Sequence, residues 1–380
     1  MRLLLLAASA AAIAMTTPAA AQSPPEPTEG ARAYMHVAEA VAPGVTLLRQ
    51  ARPNFYGVVG NVLIIEQSDG LVLVDSGASY GSGRRVVEHV RRISQKPVKS
   101  VIITHWHNDH PLGLAAIIEA WPGAEIIATE EAARDFDLRI GRQVPRRPDP
   151  AYNGERFNAY VEDARQKAGE EGAASEMVRG YSLAAEALAL MGADQAGTWV
   201  VPATMTFSER LTLADAERPI EIMQIGRGNT DGDLIVWLPN ERIVAAGDIV
   251  VWPVPYMFNM YPREWASVIE QIKAMPFEVL IPGHGEMLRD RAYLDQLIGL
   301  QRTVEERLAP LVGQYETFEA MNEALPDDLF EDQRRLFAGD DAWLRFWFDG
   351  YALEPLMQSA YRELKGEPLG PPPPAVPPSS

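Results

Sequence analysis

Residues 98–113 read VKSVIITHWHNDHPLG, a β-branched run that delivers three histidines and an aspartate within one hexapeptide. The run has the composition of a buried strand, and His105 stands where it ends. Side chains repeat every two residues along an extended chain, so His105 and His107 point to one side if that geometry persists. Asp109 and His110 then fall in the turn beyond, at the mouth of a sheet. The chain has six histidines, and half of them lie in this segment. Histidines that only cap or pack have no chemical reason to recur at this spacing. Imidazole and carboxylate are the donors zinc accepts where no thiolate is offered, and the sequence contains no cysteine. Four such groups from so short a stretch do not face one tetrahedral ion comfortably. Two neighbouring ions sharing the cluster would satisfy them.

The flanking segments supply layers. GNVLIIEQSDGLVLVDSG reads as two strands about the turn Ser68-Asp69-Gly70, SGRRVVEHVRRIS as a helix, and AEIIATEEAARDF as strand then helix. Strands alternating with helices predict a layered α/β fold. Residues 138–197 break the rhythm with a Pro- and Arg-rich stretch followed by two helical ones. They read as an insertion, either a surface decoration or a lid or pocket wall. Strands return in TWVVPATMTF, RLTLAD, IEIMQIG, DLIVWLP, RIVAAGDIVV and FEVLIPGHG. PREWASVIEQIKAM starts a helix at Pro262, with Trp265, Val268, Ile269 and Ile272 as its apolar stripe. Residues 302–368 form a helical extension whose aromatic residues Trp343, Phe346, Trp347, Phe348 and Tyr351 read as core packing or a dimer contact.

Hydrophobic residues make up 47% of the chain and charged residues 23%, enough for a globular core. A formal net charge of -18 opposes nucleic acid and anionic membranes as partners. A small-molecule substrate is the expected partner, and the sequence carries no signal for an oligomeric state. Residues 1–21 have the form of a signal peptide: Arg2, an apolar run, and a small-residue cleavage site ending at Ala21. The expectation is a periplasmic or secreted protein with no stable membrane anchor after cleavage. Residues 22–43 read as a flexible lead-in, 44–301 as the main domain and 369–380 as a disordered Pro-rich tail.

THWHNDH resembles the HxHxDH signature of the metallo-β-lactamase superfamily. VLVDSG resembles the early strand whose aspartate, here Asp75, buttresses the metal loop. AAGDIVV resembles the later strand ending in a bridging aspartate, here Asp248, and IPGHG the loop carrying the last histidine ligand, here His284. Alone, Asp248 is an ordinary turn residue and His284 an ordinary loop residue; their order downstream of the hexapeptide gives them weight. The resemblance runs from about Gly44 to Glu286. It implies an αββα sandwich, two mixed sheets face to face with helices outside and metals at one edge. The helical insertion and the C-terminal helical extension lie outside the shared pattern. It also implies a first metal on His105 and His107, and a second on Asp109, His110 and His284, with Asp248 bridging.

The family's segment GxxHTxGD is here GRGNTDGD, residues 226–233, so Asn229 replaces a ligand histidine. An amide oxygen is a weaker and harder donor than imidazole, so affinity should fall and preference drift from Zn2+ toward Mn2+ or Fe2+. One or two Zn2+ ions are expected. Asp231 is a possible substitute ligand, although Gly232 makes TDGD a turn. His36 and His89 read as structural or solvated. The implied function is an exported metal-dependent hydrolase that uses a metal-activated hydroxide on an ester, thioester, lactone or amide, with Asp109 or Asp248 orienting the nucleophile and moving its proton. Asp248 stands where many true β-lactamases carry cysteine or serine, so the chain resembles the glyoxalase II and lactonase branches more. β-Lactam hydrolysis is the alternative, and Asn229 raises a second one, a degenerate non-catalytic metal-binding or scaffold member. Arg142, Arg146, Arg147 and Arg227 read as contacts for an anionic substrate or as a solvated face. Trp106 and Trp252 read as pocket lining or as wall packing.

Overall fold

The computed structural model describes residues 26–52, 57–170, 172 and 174–370. The expected leader over 1–21 and residues 371–380 of the expected tail lie outside them. A first sheet runs in chain order through β1 (His36–Ala42), β2 (Val45–Gln50), β3 (Val62–Glu66), β4 (Leu71–Val74), β5 (Val98–Ile102), β6 (Glu125–Thr129) and β7 (Met205–Phe207). It is antiparallel from β1 to β4 and parallel from β4 to β7. The second sheet holds β8 (Arg210–Leu213), β9 (Ile220–Met223), β10 (Ile235–Leu238), β11 (Ile243–Ala245) and β12 (Val279–Ile281), side by side in chain order with only β11 and β12 parallel.

The two-residue period of the strands sorts their side chains into layers. Leu47, Ile65 and Val72 meet Ile222, Val236 and Ile281 between the sheets, while their neighbours Leu48, Ile64 and Leu73 face outward into helices. A strand covered on both faces reads as a continuous apolar run, which is why LVLV has no alternation. The molecule is an αββα sandwich. On the outside of the first sheet lie α2 (Tyr80–Ile93), α3 (Leu114–Ala120) and α4 (Glu130–Arg139), preceded in the chain by α1 (Glu29–Tyr34). Ser79 and Ser82 form a reciprocal capping box at the start of α2.

Three expectations need correction. The lead-in over 22–43 contains α1 and β1, with Tyr34 fully buried and His36 bonded through Nε2 to Gly60 O at 2.9 Å. Its half-exposed pattern is that of an edge strand, which a polar composition disguises. TWVVPATMTF keeps only Met205–Phe207 as strand, because Pro202 cannot donate to a ladder. The helices expected from 302 begin earlier: α8 (Ala292–Val312) runs straight through that boundary.

Between α4 and β7, α5 (Arg156–Ala168) and α6 (Ser175–Ala193) pack on each other, and α6 packs on α1. α7 (Pro262–Ala274) buries Trp265, Val268, Ile269 and Ile272, the predicted stripe, on the outer face of the second sheet. After α8 follow α9 (Phe318–Ala324), α10 (Glu331–Ala338), α11 (Ala342–Trp347), a π-helical turn (Phe348–Leu353) and α12 (Glu354–Lys365). These helices share one apolar core with α7 and α8, containing Leu308, Phe348 and Leu356. Among the described residues no helix is long and apolar enough to cross a membrane.

Candidate metal centre

The ends of β4, β5, β11 and β12 meet at one edge of the sandwich. Asp75 follows β4 with φ 62, a left-handed conformation that aspartate tolerates better than most residues. Its carboxylate accepts from Thr104 N at 2.9 Å and from Thr104 Oγ1 at 2.8 Å, and Oδ2 lies 2.8 Å from His110 Nδ1. A carboxylate only accepts, so His110 carries a proton on Nδ1, and Nε2 is the atom it can offer to a metal once its own proton is displaced. The Thr104 hydroxyl has spent its one proton on Asp75, so it accepts from His105 Nδ1 at 3.0 Å. That frees His105 Nε2 in turn.

These Nε2 atoms face partners from distant segments. His110 Nε2 is 3.3 Å from His284 Nε2 and 3.6 Å from Asp109 Oδ2, and His284 Nε2 is 3.0 Å from Asp109 Oδ2. Asp248 Oδ1 stands 3.2 Å from His110 Nε2 and 3.4 Å from His284 Nε2. Donors at about 2.0–2.1 Å round a tetrahedral zinc ion are about 3.3–3.4 Å apart. The spacing of this group therefore fits one ion. The other oxygen of Asp248, Oδ2, faces His105 Nε2 at 3.6 Å, and His105 Nε2 lies 3.0 Å from His107 Nδ1. One carboxylate thus spans two donor clusters.

Asn229 sits in the loop between β9 and β10. Its Nδ2 donates to Tyr256 O at 2.7 Å, which identifies the amide's orientation because a carbonyl can only accept. Its Oδ1 is then buried with no hydrogen-bond partner among the described residues. Asn229 and His107 line the same cavity. An orphaned amide oxygen in a cavity that His107 also lines fits a weak oxygen ligand. Asp233 braces this loop, accepting from Thr230 N at 2.6 Å and Gly228 N at 3.2 Å, and burial pushes its carboxyl up to about 7.

Charge is arranged to hold a cation. Burial disfavours the charged form of His284, but Asp248 and Asp109 outweigh it and carry the imidazole up to about 9. His110 is raised in the same way against its burial by Asp248, Asp109 and Asp75. Asp109 and Asp248, despite burial, are held well below the usual carboxylate range by these histidines. Burial carries His107 down to about 4, so it stays a neutral donor at pH 7.

Close backbone approach completes the centre. A Cβ on Gly283 would fall 2.0 Å from Asp248 Oδ1, so only glycine lets the His284 loop come this near. Asn61 clamps that loop, donating from Nδ2 to Pro282 O at 2.9 Å and Gly285 O at 3.0 Å. No sequence signal marked Asn61 in advance.

Asp231, the substitute ligand considered from sequence, pairs through Oδ2 with Arg134 at 2.7 Å, and its Oδ1 is buried without a hydrogen-bond partner among the described residues. The arginines weighed as anion contacts do not line either cavity described below; Arg146 pairs with Asp137 and Arg227 with Glu264. Trp252 packs against the core of the C-terminal helices, whereas Trp106 lines a cavity. Two adjoining cavities reach the centre. One, about 120 Å³, is walled by Asp109, Asp248 and His284 and by Tyr256, Trp347 and Tyr351. The last two come from the aromatic cluster read as core packing or dimer contact; their spacing of four places both on one helical face.

The sequence profile of the metallo-beta-lactamase superfamily matches residues 56–284. A linear primary-alkylsulfatase from a Pseudomonas species is 24% identical over 337 residues, covering 82% of this chain and 58% of that enzyme. A type 2 metallo-beta-lactamase from a Bacillus species is 24% identical over 240 residues, 62% of this chain and 70% of the relative. The solved structure of a stereoselective inverting sec-alkylsulfatase from a Pseudomonas species superposes with a TM-score of 0.57 at 16% identity. That superposition covers 86% of this chain and 50% of the other, a likeness of fold. The chain thus spans little more than half the length of the alkylsulfatases it matches.

Proposed function

The chain belongs to the metallo-beta-lactamase superfamily, and from that premise we propose that it is a metal-dependent hydrolase acting on an ester, thioester, lactone or amide. The observation that carries the reading is Asp248, whose two oxygens face separate donor clusters at 3.2 Å and 3.6 Å. In this reading His105, His107 and Asn229 would hold one ion and Asp109, His110 and His284 the other, with Asp248 between them. Zn2+ suits the nitrogen-rich second set; Mn2+ or Fe2+ is a further candidate on the Asn229 side, where a harder oxygen replaces imidazole. Such ions, when bound, lower the pKa of water from about 15.7 toward about 7 and polarise the oxygen that becomes negative.

The chain's own groups do the rest. Asp109 and Asp248 stay ionised beside the histidines, so either can orient the attacking water by accepting a hydrogen bond from it. Either would pass the water's proton on to the leaving group as the scissile bond breaks. Val251, Tyr256 and Trp347 wall the cavity beside these carboxylates and restrict water. The leader pattern over 1–21 supports export to the periplasm or outside the cell. A second reading, sulfate-ester hydrolysis, is favoured by an alkylsulfatase relative that spans 82% of this chain, and β-lactam hydrolysis by the type 2 relative.

The test is a metal count and a substrate panel on chain beginning at Gln22 and loaded with Zn2+ or Mn2+. Bound metal and turnover of an ester, thioester or lactone, abolished by Asp109→Ala and His110→Ala, is the expected result. Turnover of only an alkyl sulfate or only nitrocefin would select one of the other hydrolases. No bound transition metal and no hydrolysis would instead favour a non-catalytic binding member.

A further inference from the structure

His107, Asn108 and Tyr256 are walls common to two cavities, so the centre is approached from two sides of one partition. The sides differ in chemistry. Beyond the metal-facing residues, the 120 Å³ cavity ends on Val58, Pro255, Trp347 and Tyr351. The other, about 220 Å³, presents amides from Gln143, Asn229 and Asn259 together with Trp106. Among the described residues lining either cavity there is no lysine or arginine. An anionic group of a substrate seated on these walls away from the ions would lose part of its water and meet no cation among the described lining residues, which is costly. The nearby Arg139, behind Trp106, is paired with Asp135.

Two members of the apolar wall, Trp347 and Tyr351, lie beyond the profile match, which ends at 284. Trp347 and Tyr351 have ring centroids 4.0 Å apart, and Tyr351 lies 5.7 Å from Phe258. Phe258 is 5.0 Å from Tyr256, whose ring meets His107 at 5.4 Å. Met257 N donates to Tyr351 O at 2.9 Å, tying this loop to the π-helical turn. Such wide turns are uncommon inside helices and often occur at functional sites. At about 120 Å³, part of it against the metal-facing residues, this partly open cavity accommodates a compact arm of about butyl size rather than a long chain.

We infer that the substrate is uncharged away from its scissile bond, with a compact apolar arm set by Trp347 and Tyr351 and a hydrogen-bonding arm on the side of Gln143 and Asn259. This rests on the hydrolase reading and narrows its substrate class. It disfavours β-lactams, whose carboxylate lies off the scissile bond.

Phenyl butyrate and monophenyl succinate differ only in a terminal methyl or carboxylate, and the zinc-loaded protein is assayed on both. The expected kcat/KM favours the butyrate by at least about 100-fold; equal rates or a preference for the succinate would overturn the inference. Trp347→Ala should raise the ratio of phenyl octanoate to phenyl butyrate turnover about tenfold or more. Tyr351→Ala, half-buried, supplies the same enlargement if the tryptophan variant does not fold. A ratio unchanged in a folded variant of either kind counts against the wall as the determinant. Binding of the non-hydrolysable pair butyrophenone and 3-benzoylpropionate, followed by ligand-observed NMR, separates this from the broader reading. Selective binding of the neutral ketone, weakened in the variants, upholds the cavity assignment even if no ester is cleaved, and only the hydrolase reading then falls. Equal binding of the two ketones overturns the cavity assignment itself.

Discussion

The Nδ2 bond from Asn229 to Tyr256 O fixes the amide and leaves its Oδ1 buried without a partner among the described residues. Asn229→His should raise metal content toward two ions per chain, read by elemental analysis after dialysis. Unchanged stoichiometry and activity would place residue 229 off the metal. Asp233 behind the same loop makes a pH prediction. Its folded carboxyl titrates near 7, against about 3.8 for an unburied one. The folded chain therefore keeps a proton that the unfolded chain releases, and the cost of this burial is absent below about pH 4. It grows as pH rises to 7, reaching roughly 4 kcal/mol. Asp233→Asn keeps an acceptor oxygen but cannot ionise. The stability of wild type relative to this variant, from urea unfolding in chelator, should fall between pH 4 and 7 and then level off. A flat difference would show an ordinary carboxyl. The cluster of histidines and aspartate in the hexapeptide was legible in sequence because its members are neighbours. Asn61 was not, because an asparagine that clamps a loop 221 residues away has no local signature.

Elements hold the histidine-rich loop at both ends. It leaves β5 at Ile102 and enters α3 at Leu114, and Ser76 Oγ donates to His110 O at 2.8 Å in between. α2 and α3 touch through glycines: a Cβ on Gly83 would fall 2.3 Å from Gly113 O. Gly83→Ala must push α3 away, so a loss of about 1–3 kcal/mol is expected. Zn2+ affinity should fall with it, since α3 anchors the segment carrying Asp109 and His110. Thermal melting and competition with a chelating dye check both; an unchanged melting temperature would mean the helices separate freely. Strand and helix types were legible here because each follows a local period. The edge strand β1 was missed since half its residues face water, and composition alone then resembles a linker.

For the molecule as a whole, the C-terminal helices belong to the main body. Leu308, Phe348 and Leu356 are fully buried in a core shared with Trp265 and Leu280. Each such side chain contributes about 1.5–3 kcal/mol through burial. A chain ended at Gln301 would cut α8 in half and expose the faces of α7 and α8 that α12 covers. It is expected to be insoluble or to lack near-ultraviolet circular dichroism. A soluble, metal-binding truncated chain would instead show that these helices are an independent addition.

The sequence by itself determined the layered α/β class, the strand that leads to His105, the stripe of α7 and the spacing of the histidines and aspartate in the hexapeptide. Those follow from backbone periodicity and residue chemistry acting over a few positions. Only the tertiary structure decided that Asp248 divides its oxygens between two clusters, that Asp231 turns to Arg134, and that Trp347 and Tyr351 wall the cavity. Such pairings join residues far apart in the chain, and their distances depend on how two sheets and their helices pack, which no local pattern encodes.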